Sequence, residues 1–248
     1  MQNSFWNVIL YALLPVAAAI IGGTVATFRR PSPTLRSYIQ HTAAGVVFSV
    51  VAVELLPDIT KVHNAYLEVA VGFAIGVGSM LGLRVLAHRM EEKNETANHS
   101  GPDRPGLPLG LLVGVGIDIL LDGFLIGVSF AAGAKEGTLL TIALTLEMIS
   151  LGLAVATALG KNGHGRVSAI RTTALLFLLI IVGAALGSGL VAIMPEAILE
   201  VVLSFGLAAL MFLVTEELLV EAHREPESPM ATGMFFIGFL TFLLLGMI

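Results

Sequence analysis

The stretch "DILLDGFLIGV", residues 118–128, sets two carboxylates into a run from Pro108 to Ala132 that is otherwise apolar or small. Asp118 and Asp122 stand four residues apart, so on a helix they share one face, one turn above the other. A third acid, Glu147, opens "EMISLGLAVAT", residues 147–157, again in the middle of an apolar block. Carboxylates so placed can hold a cation, relay protons, or tie helices together as protonated, hydrogen-bonded acids.

Cost decides among these. One Asp at the centre of a hydrophobic span costs about 3 kcal/mol even on a lenient insertion scale. Three at one depth are intolerable as anions unless protonated or paired with a cation. No Lys, Arg or His stands at that depth in the sequence. A divalent ion accepts oxygen ligands readily, and three carboxylates converging from two helices make half a coordination shell. Asp118, Asp122 and Glu147 are therefore the expected metal ligands, and no organic cofactor is expected. The helix-tying alternative suits one lone carboxylate better than three together. Gly123, Gly127 and Gly152 are expected to permit close helix packing, and Met148 to face core or lipid.

The elements that position these acids follow from composition. Of 248 residues, 56% are hydrophobic and 12% charged, and the mean hydropathy is +0.92. A soluble domain of this length cannot hide so much apolar surface. Apolar blocks long enough to span a bilayer recur at about 5–28, 37–57, 66–87, 108–132, 138–160, 168–192, 198–222 and 231–248. The expectation is an all-α integral membrane protein with eight transmembrane helices, one transporter domain over residues 1–248. The formal charge of −5 says little about partners, because topology sets the loop charges. With no cysteine, the sequence is silent on redox compartment. The N-terminal segment has no Lys or Arg ahead of its apolar core, so it is expected as the first helix and not as a cleaved signal.

Basic residues set the orientation. Arg29, Arg30, Arg36, Arg84, Arg89, Lys93, Arg104, Lys161, Arg166, Arg171 and Arg224 fall in or beside the odd-numbered loops, while the other side holds Lys61 and Lys135. The odd loops are thus expected in the cytoplasm, with both termini outside a cell (inner or plasma) membrane. The polar segment at about 89–107 is expected as a flexible cytoplasmic loop. His88 and His99, beside and within it, are too few to collect metal.

The chain also repeats itself upside down. "VELLPD" (53–58) matches "EELLVE" (216–221), setting Glu54 against Glu217 and Asp58 against Glu221, with His63 and His223 nearby. "DILLDGFLIGV" matches "EMISLGLAVAT", setting Asp118 against Glu147 and Gly123 against Gly152. Because matched helices run in opposite directions, helices 1–3 and 6–8 are expected as inverted repeats around a central helix 4/helix 5 pair, a transporter-like plan with its site near the midplane. Glu54 and Asp58 end helix 2, and Glu216, Glu217 and Glu221 end helix 7, where the helix dipole disfavours anions. With His223 they are candidates for the entrance and exit of a cation path.

The central pair resembles the ZIP family of divalent-metal transporters. Members carry His-Asn-x-x-(Asp/Glu)-Gly on helix 4, followed by a Gly-containing run like "FLIGVSF"; on helix 5 they carry (His/Gln)-(Asn/Asp/Glu)-x-Pro-Glu-Gly, then a run like "LAVA" at residues 153–156. "AAGVVFSVVAVELLPD" and "FLVTEELLVEAH" extend the similarity to helices 2 and 7. The chain departs from the family at its centre. Asp118 stands in place of the helix-4 His and Ile119 in place of Asn; Glu147 takes the His/Gln position; Met148, Ser150 and Leu151 replace the polar residue, Pro and Glu. Helix 6 lacks the Glu found in many relatives. The resemblance therefore implies at most one metal site, shifted toward harder ligands, so that Mn²⁺ or Fe²⁺ gains on Zn²⁺. With no Pro in either central helix, kinks that expose backbone carbonyls are not expected.

Enzyme classes fit poorly. An intramembrane aspartyl protease places its two Asp on different helices, and a CDP-alcohol phosphotransferase follows its first Asp-Gly with small and basic residues, where "DGFLIGV" is apolar. The expected function is transport of a divalent metal cation (Zn, Mn, Fe or similar), not catalysis. The rivals are a proton-coupled carrier of a non-metal solute and a ZIP-derived, non-transporting metal sensor. The expected partners are the metal ion and the lipid bilayer, without nucleic acid, and with room for a homodimer.

Overall fold

In a hydrocarbon medium every backbone N–H and C=O must be satisfied within its own segment, so long apolar blocks become helices. A computed structural model of the chain describes residues 2–29, 32–61, 65–97, 109–224 and 228–247. Among these, eight helices are long and apolar enough to cross a membrane: α1 (Phe5–Phe28), α2 (Pro33–Lys61), α3 (Tyr66–Leu86), α4 (Gly110–Phe130), α5 (Ala134–Lys161), α6 (Arg166–Val191), α7 (Ile198–Ala222) and α8 (Pro229–Gly246). This is the expected all-α membrane architecture.

Two of the starts are written locally. Ser32 and Ser228 each precede a proline at the first helical position, and their hydroxyls accept from Leu35 N (3.2 Å) and Ala231 N (3.0 Å). Helix continues beyond α3 as far as Ala97, into the segment expected as a loop. Residues 98–108, with His99, lie outside the described residues, as does His63. The helical bonding of α6 is interrupted at Leu178, where Ile181 N donates to Leu178 O at 3.0 Å.

The helices pack in intimate pairs: α1 with α5, α4 with α6, α2 with α8, and α3 with α7. Small residues bring the backbones together. A Cβ at Gly183 would stand 2.1 Å from Leu120 O, and one at Gly123 would stand 2.2 Å from Ile180 O. In the partner pair, a Cβ at Gly22 would stand 2.3 Å from Ile149 O, and one at Gly152 2.2 Å from Ala19 O. The two sets superpose in number. Leu120 and Gly123 become Ile149 and Gly152 by one shift of 29, and Ala19 and Gly22 become Ile180 and Gly183 by one shift of 161. The packing thus repeats the sequence correspondence of Asp118 with Glu147.

The same relation holds between α2 and α7. Each changes from α- to π-helical bonding at matching places, Val51–Leu55 in α2 and Leu213–Leu218 in α7. Glu54 lies in the first segment and Glu217 in the second. A π turn inserts an extra residue and rotates everything beyond it around the axis, and such turns gather at functional sites. The pairs form two groups of four helices: α1, α4, α5 and α6 in one, α2, α3, α7 and α8 in the other.

Candidate metal centre

Helices α4 and α5 are continuous α-helix across the middle of the bundle, with no proline inside either. On their facing sides Asp118, Asp122 and Glu147 converge, and one carboxylate oxygen from each lies within 4.8 Å of the other two. The separation suits a shared cation. Metal–oxygen distances of about 2.1 Å for Mg²⁺-sized ions, or about 2.4 Å for Ca²⁺, put opposite ligand oxygens roughly 4.2 to 4.8 Å apart.

Asp122 and Glu147 are each 3% exposed, whereas Asp118 is half-buried. Asp122 Oδ2 and Glu147 Oε2 are buried without a hydrogen-bond partner. None of the described ion pairs involves any of the three acids. Buried acceptors are normally satisfied, so two orphaned carboxylate oxygens in one cluster mark a place for a cation or for protons. The donor set is all oxygen, which fits a hard or borderline divalent ion.

The cluster is reached from one side only among the described cavities. Two adjoining cavities, of about 370 and 490 Å³, share Asp118, Glu216, Glu217 and Arg224 as wall, and the larger also reaches Glu147 and Ser150. Their rims carry Arg36, Arg84, Lys161 and Glu221, so they open at the end of the bundle where the basic residues gather. Toward the opposite end, Leu125, Ile126 and Val128 of α4 and Leu140, Ala143 and Leu144 of α5 are all buried and close the way. Met148, beside Glu147, is fully buried core.

The structure separates the six residues that sequence placed at the mouths. Glu217 lies deeper than a mouth: its side chain meets Asp118 on the shared wall of both cavities. Glu216, next in sequence, turns away to pair with Arg84. Glu221 pairs with Arg36 and, at 2.9 Å, with Arg224. The His223 ring stands 5.2 Å from that of His41. Glu54 and Asp58 sit at the other end, paired with Lys135 (3.8 Å) and Lys61 (2.8 Å) respectively.

Sequence reasoning passed over one polar group. Gln40 of α2 lines the larger cavity opposite Glu147, is 4% exposed, and its Oε1 has no hydrogen-bond partner. An amide beside a histidine in "SYIQHTAAG", at the start of a stretch expected to span the bilayer, was the signal available for it. Among the described residues the chain has eight candidate membrane spans and a buried acidic cluster that could hold a metal ion. No protein-family model matches it, and no curated protein matches it.

Proposed function

We propose that this protein carries a divalent metal cation across the membrane, as a divergent relative of the ZIP family, and that Asp118, Asp122 and Glu147 bind the ion in transit. The observation that carries the reading is the convergence of three carboxylates within 4.8 Å, two of them with orphaned, buried oxygens. Two further features support it. Inverted repeats meeting at a midplane polar site are the plan of secondary transporters. A cavity leads to the acids from one end while the other end is packed shut, as one access state of a carrier requires. On the positive-inside rule, the open basic end faces the cytoplasm and both termini face outward. Cysteines placed at Asn162 and Thr60 should then be labelled from the cytoplasmic and outer sides respectively.

Reconstituted vesicles offered a panel of Mn²⁺, Fe²⁺, Zn²⁺ and Cd²⁺ test the reading. Uptake of at least one ion, lost in Asp122→Asn, is the expected result. Vesicles that take up none, while anomalous scattering finds soaked Cd²⁺ only at loop residues, would refute it. The second reading is a proton-coupled carrier of a non-metal solute, and one observation favours it: Asp118 and Glu217, carboxylates from two helices, meet on one cavity wall, as in a proton relay. Solute movement driven by a pH gradient in metal-free buffer would select that reading.

A further inference from the structure

The described ion pairs are distributed unequally between the two ends. At the open end, Arg84–Glu216 joins α3 to α7, Arg36–Glu221 joins α2 to α7, and Arg224–Glu221 stays at the end of α7. All lie within the group α2, α3, α7 and α8, so none of them ties one group of four to the other. At the shut end the pattern reverses. Lys135, at the start of α5, reaches out of its own group to Glu54 of α2 (3.8 Å) and donates to the Gly246 carbonyl of α8. The Glu54 side chain is 11% exposed, and Gly246 lies close enough that a Cβ there would stand 2.7 Å from Glu54 Oε1. One ammonium thus clamps two helices of the opposite group against the junction of α4 and α5.

The repeat says what the clamp holds back. Glu54 is the counterpart of Glu217, and Asp118 is the counterpart of Glu147. Glu217 is on Asp118 at the open end; Glu54 is held on Lys135 at the shut end. Packing is unequal in the same sense, since α2 lies along α5 more extensively than its mate α7 lies along α4. Exchanging the conformations of the two repeats, which is how an inverted-repeat carrier changes access, turns one arrangement into the other.

We propose that Lys135 is the latch of the shut end, and that on its release Glu54 takes at Glu147 the place Glu217 now takes at Asp118. Lys135 is a positioning residue, and Glu54 becomes the carboxylate that meets the cargo from that side. The latch rests on the transport reading for its purpose, but its geometry and its test do not depend on metal.

The chain has no cysteine, so a single introduced one reports cleanly. Ser129 of α4 is 2% exposed and lies on the helical face of Asp118 and Asp122, two turns toward the shut end. Ser129→Cys in the full-length, detergent-solubilised protein should react slowly with a maleimide. Adding Lys135→Gln, or separately Glu54→Gln, should raise the rate by about tenfold or more. The charge-swapped Lys135→Glu, Glu54→Lys pair should return it toward the slow value, which a merely misfolded variant would not do. In a second arm, Glu54→Cys with Glu147→Cys should form a disulfide under mild oxidation. Unchanged labelling in both single-charge variants, a rise that the swap leaves in place, or no disulfide would each overturn the proposal. Equilibrium binding of Mn²⁺ to the unaltered chain is the separate test of the transport reading: if it fails while labelling responds, the metal reading falls and the latch stands.

Discussion

Helices α2 and α7 are built on one plan and stand in different circumstances. Both turn π-helical at matching positions and both carry a glutamate there. Glu217 is nevertheless drawn into a cavity against Asp118, whereas Glu54 is held at a closed end by Lys135. The two segments share the glutamate and the π bonding, but their surroundings differ. The difference lies in what each faces: a polar cavity in one half, buried aliphatic side chains and a single ammonium in the other. On the transport reading proposed above, the asymmetry belongs to one access state of a duplicated element, and the opposite state would exchange the two circumstances.

The largest expected effect tests the centre, where the halves meet. Asp122→Asn keeps the shape and removes one carboxylate from the buried group proposed to hold the cation. Breaking such a pairing costs about 3–5 kcal/mol, so metal affinity should fall at least roughly 100-fold. Carboxylate ligands bind metal only when deprotonated, so metal and protons compete, and affinity should fall as pH falls. Calorimetric titration in buffers of different ionisation enthalpy should detect proton release on binding to the unaltered chain, and less of it in the variant. Unchanged affinity without proton release would leave the three acids as helix-tying groups. Asp118→His should, in the same titrations, shift preference from Mn²⁺ toward Zn²⁺, because imidazole suits Zn²⁺ better.

The next largest effect tests whether the halves are equivalent as scaffolds. At Gly22 and at Gly183 a Cβ would collide with a backbone carbonyl of the paired helix, at 2.3 and 2.1 Å. Backbone cannot step aside as a side-chain tip can, and overpacking of this kind costs about 1–3 kcal/mol. Gly22→Ala and Gly183→Ala should therefore lower thermal stability by similar amounts, while Gly78→Ala, with nothing within 4 Å, should not. Destabilisation by only one of the pair would break the repeat as a packing unit.

Much of this was legible in the sequence, for a simple reason. Apolar runs of the length of α1 and α7 leave little doubt about a span, and both appear with the bounds expected. The cluster was legible because three acids in apolar blocks stand out against their surroundings. The π segments were not, since an extra residue in a turn is set by packing and leaves no residue type behind. Glu217 shows the consequence. Counted along an ideal helix it belongs to the mouth with Glu216 and Glu221, but in the π turn it reaches Asp118 while Glu216 turns to Arg84. Lys135 was visible only as one of two basic residues on the wrong side of a charge count; its link to Glu54 spans distant parts of the chain and needed the fold.

A smaller effect separates the two glutamates directly. Glu217→Gln keeps a hydrogen-bonding group beside Asp118 but removes a carboxylate able to ionise when a cation arrives, and bonds to charged groups are worth about 1.5–3 kcal/mol. Metal affinity in the open-cavity state should fall by about tenfold. Glu54→Gln lies behind the closed end and should leave equilibrium affinity nearly unaltered. Equal responses would mean that both glutamates see the ion in one state and would remove the asymmetry.

The smallest effect concerns Gly246, the second anchor of Lys135. A methyl group there crowds the tip of the Glu54 side chain, which can shift by rotation, and touches Val53 at ordinary distance, while the carbonyl that accepts from Lys135 remains. Gly246→Ala should therefore loosen the Glu54–Lys135 contact without abolishing it. In the Ser129→Cys background the maleimide rate should rise a few-fold, well short of the change produced by Lys135→Gln. The ranking is the informative part. A rise as large as that of Lys135→Gln would place the hold in the α8 carbonyl rather than in the ion pair, making α8 the moving element. No rise at all would mean that Glu54 has room to spare, and that α8 merely lines a contact made between α2 and α5.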